Sequence, residues 1–195
     1  MSQAAAKQED KRERLLQAAK RCFVARGFHG ARMAQIAKEA QMSPGHIYHY
    51  FESKEQIIAG LVQTHIEEKL KDLERLEEAG DKVVDVMVEN LEKSVDCDDD
   101  PFWSTLMLEI TAEATRNAEI ADILRQADAD MKACVIKSLG GHVDQTDLDS
   151  RLEVLIAFFQ GIGLRNILNP SLNRAEVARL VRDIFEPLLS GKTPR

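Results

Sequence analysis

RMAQIAKEAQMSPGHIYHYFESK, residues 32–54, contains the clearest pattern in this chain. Apolar residues recur in its first part at helical spacing and predict a short helix: Met33, Ile36, Ala37 and Ala40. Ser43 is a favourable N-cap and Pro44 suits a first helical position, so a second helix is expected from there. Two short helices joined by a tight turn form the helix-turn-helix pattern of DNA-binding proteins, although an ordinary helical hairpin shares that pattern.

Electric charge is divided unevenly along the chain. Residues 1–54 contain ten Lys and Arg against five Asp and Glu, which gives a net charge of +5. The whole chain has a net charge of −7, so residues 55–195 carry −12. A basic head suits contact with phosphates, and an acidic body suits a part that stays away from DNA. The charge pattern therefore favours a DNA-binding motif over a plain hairpin.

The segment from Leu15 to Ile58 resembles the N-terminal domain of the tetracycline-repressor (TetR) family of bacterial regulators. The similarity is carried by LLQAAKRCFVARGFHG at 15–30 and by MAQIAKEAQMSPGHIYHYFESKEQII at 33–58. The specific succession is an Ala/Phe helix ending at Arg-Gly-Phe, then Ile-Ala, then Tyr-x-Tyr-Phe-x-x-Lys. This resemblance covers about the first third of the chain and implies a transcriptional repressor that binds a double-stranded DNA operator.

The resemblance also implies which side chains meet DNA. The positions that face bases correspond to Pro44, Gly45, His46 and His49, and those that hold phosphates to Tyr48 and Lys54, joined by Tyr50 and Ser43. The chemistry agrees, because a glycine lets a helix approach base edges and an imidazole can donate to a purine N7. Hydroxyl and ammonium groups suit phosphate oxygens. Phe51 is expected to pack this helix on its neighbours.

The loop before the first motif helix departs from the family pattern. Members usually carry Thr followed by Ser or Thr where this chain has Ala31-Arg32. The hydroxyl that would cap the helix and bond a phosphate is therefore absent. Arg32 is expected to supply the phosphate contact through its charge, and the start of the helix is expected to fray.

The composition predicts an all-α fold. Gly and Pro number only 10 and 5, and no alternating β-branched run is visible. We expect a disordered tail at 1–10 and a helix-turn-helix domain at 11–54 built as a three-helix bundle. A larger helical domain for ligand binding and dimerisation is expected at 55–195, with about nine helices in all.

Two C-terminal helices are expected to form a homodimer. The stretch 148–168 is apolar nearly all the way round, so two partners must cover it. The resemblance implies that this helix and the last one, 174–189, form a four-helix bundle with their copies. The expected interface residues are Phe158, Gly161, Ile162, Arg165, Leu180 and Ile184. Such a C2 dimer would present its recognition helices to half-sites roughly 34–36 Å apart.

A small-molecule effector is the other partner that the resemblance implies. The residues expected to line its pocket are Trp103, Met107, Glu109, Ile110, Glu113 and Phe159. Trp103 and Phe159 would form apolar walls, and an inward-facing glutamate would favour a cationic, lipophilic effector. The alternative that these apolar residues are ordinary core, and that both glutamates face water, stays open.

No sequence motif points to an enzyme, a cofactor or a metal site. Glu-x-x-His pairs, His-Glu-x-x-His, Gly-x-Ser-x-Gly, a Walker loop and a dinucleotide fingerprint are all absent. No apolar run approaches the length of a membrane span, and three scattered cysteines favour a reducing cytoplasm. The remaining alternatives are a transcriptional activator and a helical protein-interaction module that does not bind DNA.

Overall fold

The computed structural model of this protein describes residues 3–96 and 101–191. This part of the chain contains eight α-helices, three short 3-10 helices and no strand. The helices are α1 (Gln3–Gly30), α2 (Met33–Glu39), α3 (Lys54–Glu77), α4 (Val83–Asp96), α5 (Pro101–Ala114), α6 (Ala118–Leu139), α7 (Leu148–Leu168) and α8 (Arg174–Ser190). The 3-10 helices are Ile47–His49, Gly80–Lys82 and Gly140–His142. The predicted all-α fold is confirmed.

The helices divide into two compact units. Unit 1 consists of Met1–His65 with Thr105–Ala127, and unit 2 of Ile66–Ser104 with Asp128–Arg195. Helices α3, α5 and α6 therefore each contribute to both units. The boundaries between the two units lie inside these three helices. The predicted boundary between domains is instead a single point in the sequence, between residues 54 and 55.

Helix α1 begins earlier than the sequence indicated. Residues 3–10, for which a disordered tail was predicted, are helical, while residues 1 and 2 lie outside the described part. Two ion pairs support this first part of the helix: Arg12 with Glu9 at 3.7 Å and Arg14 with Asp10 at 3.5 Å. Pairs spaced three or four residues apart stabilise a helix, and the prediction of a disordered tail did not take these pairs into account.

The core of unit 1 forms where α1 meets α3. The predicted inner face of α1 is buried throughout: Leu15, Leu16, Ala19, Cys22 and Phe23. Phe51, predicted as a packing residue, is only 4% exposed. A Cβ added at Gly60 of α3 would lie 3.0 Å from Leu16 Cδ2 and 3.1 Å from Phe51 Cε1. A larger residue at position 60 would therefore require the Leu16 and Phe51 side chains to shift, and the glycine allows the present close packing.

The core of unit 2 is built by α4, α7 and α8. Its buried apolar residues include Val83, Met87, Val88, Leu148, Leu152, Val181, Phe185 and Leu189. Helices α4 and α8 pack along each other, and Arg182 of α8 donates to both carboxylate oxygens of Glu92 at 3.1 Å. Within the described residues, none of the helices is both long and apolar enough to cross a bilayer.

Candidate nucleic-acid interface

The second helix of the predicted motif is shorter than expected. The structure has a turn after Ser43 and then a 3-10 helix over Ile47–His49. Its hydrogen bonds span three residues, from His46 N–H to Ser43 O at 2.9 Å and from Tyr50 N–H to Ile47 O at 2.9 Å. Short segments commonly adopt this tighter helix, and a glycine at residue 45 lowers the preference for an α-helix.

One apolar side chain anchors this 3-10 helix while its polar side chains point outward. Ile47 is completely buried, and Tyr48 beside it is 56% exposed. The outward residues Gly45, His46, Tyr48, His49 and Tyr50 are here called the motif surface. Within it the His46 ring lies edge-on to His49 at 5.4 Å and to Tyr50 at 5.5 Å, measured between centroids. The motif surface is therefore a continuous patch of imidazoles and phenols.

Gly45 has no structural reason to be a glycine inside this chain. A Cβ added there would meet no atom within 4 Å, so packing does not exclude a side chain. Its φ angle is not among the positive ones, so the backbone does not require glycine either. The space beside Gly45 opens outward, as close approach to an external partner requires.

The start of α2 is capped, although not by the hydroxyl that the family pattern supplies. The N-cap residue is Arg32, and its backbone N–H donates to Gln35 Oε1 at 3.1 Å. A side chain at the third helical position that reaches back to the N-cap N–H forms one half of a capping box. Sequence analysis missed Gln35 in this role. The Arg32 side chain is exposed, as a phosphate contact would need.

The start of α3 places Lys54 against the end of α1. Ser53 Oγ accepts the Gln56 N–H at 3.2 Å and so caps the start of this helix. Lys54 Nζ donates to Phe28 O at 2.6 Å and lies 4.1 Å from the centre of the Phe28 ring. The ammonium group has three donors, so a phosphate could still be bound beside this carbonyl.

Two family models match most of this chain. The model of bacterial regulatory proteins of the tetR family matches residues 15–61, which include the motif surface. The model of the C-terminal domain of BetI-type transcriptional repressors matches residues 80–190, more than half of the chain. The chain belongs to the tetR family of bacterial regulatory proteins. It is therefore classed with transcriptional regulators and not with enzymes.

Individual relatives of this tetR-family protein agree with the family models. The HTH-type transcriptional regulator UidR of Escherichia coli is 37% identical over 117 residues, which is 58% of this chain and 57% of that protein. The Salmonella enterica GusR structure has a TM-score of 0.63 at 28% identity, covering 92% of this chain and 95% of GusR. A Rhodococcus transcriptional regulator has a TM-score of 0.73 at 21% identity, covering 94% and 99%, which shows the fold alone.

The predicted effector residues of this tetR-family chain fall into both units. Unit 1 contains Met107, Glu109, Ile110 and Glu113, and unit 2 contains Trp103 and Phe159. Ile110 is fully buried, while Phe159 packs beside Phe158 and Phe185 with ring centroids 5.3 and 6.1 Å away. Two open clefts of about 200 and 280 Å³ occur in the described part, and none of the six residues lines either of them. Their effector role stays a prediction.

Glu113 has charged partners that the sequence did not indicate. Its carboxylate Oε2 lies 2.9 Å from His29 Nε2 and 2.5 Å from an Arg116 guanidinium nitrogen. The residue is only 2% exposed. The negative charge expected to attract a cationic effector is thus paired within unit 1. No spacing rule could have found His29, because it lies far from Glu113 in the sequence.

The predicted dimer residues lie on an apolar face of unit 2 that the single chain leaves open. Leu180 and Ile184 of α8 are 50% and 49% exposed. Arg165 and Gly161 of α7 are exposed, while Phe158 and Ile162 are half-buried. Further exposed apolar residues on α7, which the sequence analysis did not select, are Val154, Leu164, Ile167 and Leu168. A Cβ at Gly161 would meet nothing within 4 Å of it.

Proposed function

We propose that this protein is a dimeric transcriptional repressor that binds a palindromic DNA operator and is released by a small-molecule effector. The observation that carries the proposal is the motif surface, in which polar and aromatic side chains surround a buried Ile47 and an open Gly45. A surface of this chemistry can enter the major groove, where imidazoles and hydroxyls find acceptors on base edges. The match to BetI-type repressors supports repression rather than activation.

Dimerisation is supported by the apolar face of α7 and α8. Large apolar side chains that remain half exposed on one face favour burial against another protein surface. Self-association through this face would pair two copies of the motif surface, which suits a palindromic site. The open space at Gly161 supports close packing of α7 against a partner helix.

A small-molecule effector is supported by Trp103 and Phe159 in unit 2. Both side chains are half-buried, so each keeps some aromatic surface that a ligand could cover. Because the Glu113 charge is already paired, Glu109 is the remaining one of the two glutamates that were expected to favour a cationic effector.

Operator binding is tested by selecting duplexes from a random-sequence DNA pool with the full-length protein. We expect the selected sequences to be palindromic, with half-site centres about one DNA turn apart. Fluorescence anisotropy then compares the selected duplex with a scrambled duplex of equal length and composition. Equal affinity for both duplexes at every salt concentration would contradict sequence-specific binding.

Effector binding is tested through the intrinsic fluorescence of Trp103, the single tryptophan of the chain. We expect quenching by lipophilic quaternary ammonium compounds, with release of the selected duplex at the same concentrations. Neutral compounds of the same shape serve as the control for charge. Equal quenching by neutral and cationic compounds would remove the preference for cations, and release without any quenching would place the effector away from Trp103.

A further inference from the structure

Glu113 is a buried acid in a position where burial is costly. Among the described residues, the buried charged side chains are those of Glu113 and Arg151, at 2% and 7% exposure. A buried carboxylate is tolerated when positive partners compensate for its lost hydration. Arg116 does so at 2.5 Å, and His29 Nε2 lies 2.9 Å from the same carboxylate oxygen; both of these partners reach out to solvent. The carboxylate therefore sits beneath an exposed guanidinium and an exposed imidazole.

The two partners of Glu113 come from different parts of the chain. Arg116 lies in the turn after α5, three residues from Glu113, so this ion pair is local. His29, in contrast, lies in the last turn of α1, after Gly27 has broken the helix with φ +69°. The Glu113–His29 pair therefore fixes the end of α1 onto α5.

A second carboxylate of α5 lies against the same turn of α1. Glu109, one helical turn before Glu113, places Oε2 3.1 Å from the position that a Gly27 Cβ would occupy. On the other side, Lys54 of α3 donates to Phe28 O at 2.6 Å. The turn Gly27–Gly30 is thus held between acidic groups of α5 and a cation of α3. This turn leads directly into α2, the first helix of the DNA-binding motif.

The corner between α5 and α6 makes one more polar contact with the motif. Asn117 Nδ2 donates to Glu55 Oε1, in the first turn of α3, at 3.2 Å. The Oδ1 atom of the same amide accepts from the backbone N–H groups of Glu119 and Ile120 at 3.1 and 3.3 Å. Asn117 therefore caps α6 and holds the start of α3 at once.

From these contacts we infer that Glu113 is a positioning residue for DNA binding, which fixes the turn Gly27–Gly30 and thereby the orientation of the helix-turn-helix motif on α5. This inference rests on the proposed DNA-binding function. It also gives Glu113 a role other than the predicted contact with an effector.

The test uses full-length His29→Gln and Glu113→Gln variants, with two readouts. The first is hydrogen exchange by mass spectrometry without DNA, in which we expect peptides covering residues 24–36 to exchange about fivefold faster. Peptides from α8 in unit 2 should be unchanged. The second is affinity for the duplex selected by the wild-type protein, which we expect to fall about tenfold.

Two further variants make the result decisive. Because Glu113→Gln alters a buried site and could unfold the chain, His29→Gln removes the partner from the exposed side instead. His29→Arg supplies a hydrogen-bond donor with a permanent positive charge at the same position, so both readouts should stay close to those of wild type. Arg125→Gln is the matched control, because it breaks an exposed pair with Asp122 on α6 in the same unit. That control should leave both readouts unchanged.

The outcomes separate this inference from the function on which it rests. If wild-type protein prefers no DNA sequence, the proposed function fails and the inference fails with it. If wild type binds specifically but His29→Gln matches it in exchange and affinity, the inference alone is overturned. Faster exchange in α8 to the same extent as in residues 24–36 would also overturn it, since the effect would then be general loss of stability.

Discussion

Lys54 and His49 lie near each other in the sequence but are expected to act on DNA in different ways. Lys54 carries a charge that suits phosphates, so Lys54→Ala should weaken binding to every duplex. The slope of log affinity against log salt concentration should also become shallower by about one unit. His49 carries a directional donor, so His49→Ala should relax the preference at one base pair. Anisotropy with the selected duplex, its single-base variants and a scrambled duplex distinguishes the two effects. Equal losses on all duplexes for both variants would contradict these assignments.

Asp144 is expected to make stability depend on pH on the acid side. The backbone N–H of Thr146 donates to Asp144 Oδ1 at 2.8 Å, and this bond, with help from the Thr146 hydroxyl, holds the pKa of Asp144 below its ordinary value of 3.8. Because its pKa is lowered by folding, the ionised carboxylate stabilises the fold at pH values above the ordinary pKa of aspartate. This stabilisation is lost as the pH falls through the lowered pKa of the folded state.

The Asp144→Asn variant tests that dependence. We expect the urea midpoint of the variant to fall less steeply than that of wild type between about pH 5 and about pH 3. Asp183→Asn, an exposed acid on α8, is the control and should follow wild type. Parallel curves for Asp144→Asn and wild type would show that Asp144 does not contribute through its charge.

At the scale of helices, Arg151 closes the end of α8. Its guanidinium donates to Leu188 O and Leu189 O at 3.0 Å each, and also to Thr146 O and Asp144 O. The last carbonyls of a helix lack partners within the helix, and a cation there also interacts favourably with the helix dipole. A single buried side chain therefore joins α7, the loop before it and the end of α8.

Replacing Arg151 should destabilise unit 2 markedly. Arg151→Met removes the guanidinium donor from one buried carbonyl and three partly buried ones, for which we expect a loss of about 2–4 kcal/mol in the free energy of unfolding. Urea denaturation followed by circular dichroism measures it. Arg179→Met, which removes an exposed arginine from α8, should stay within about 0.5 kcal/mol of wild type. A loss equally small for Arg151→Met would mean that water replaces the guanidinium.

The sequence predicted helices well and their ends less well. The apolar spacing of α1, α3 and α8 depends only on periodicity, which a sequence displays directly. The length of α1 escaped prediction because a polar, Ala-rich terminus fits both a helix and a disordered tail. The helix expected from Pro44 became a 3-10 helix, since so few residues separate it from α3.

The side chains of the candidate site were partly predictable for a similar reason. Gly45, His46, Tyr48 and His49 lie close together in sequence, so local structure alone brings them to one surface. The Glu113–His29 pair depends on how α5 packs against α1, and no local pattern encodes that contact. The charge of Glu113 was therefore assigned to a ligand when the fold gives it a partner.

At the scale of the whole molecule, the proposed operator binding depends on how two copies would associate. A single motif surface is small, and an operator with two half-sites gains affinity only if both copies are held at a fixed spacing. Helices α3, α5 and α6 each run through both units, so they provide the covalent routes by which a change in unit 2 can reach the motif in unit 1.

The exposed face of α8 should decide the oligomeric state. Leu180 is 50% exposed in the single chain, and Leu180→Glu would place a charge in the middle of the proposed interface. Burying an unpaired carboxylate is costly, so we expect dimer dissociation to become about a hundredfold easier or more. Analytical ultracentrifugation over a range of concentrations measures this change. Because dimerisation sets half-site spacing, affinity for the selected palindrome should fall with it, whereas affinity for an isolated half-site should not.

The matched control is Leu108→Glu on α5, a leucine that is 43% exposed outside that face, and this variant should remain dimeric. A Leu180→Glu protein that stays dimeric would mean that the copies associate through another surface.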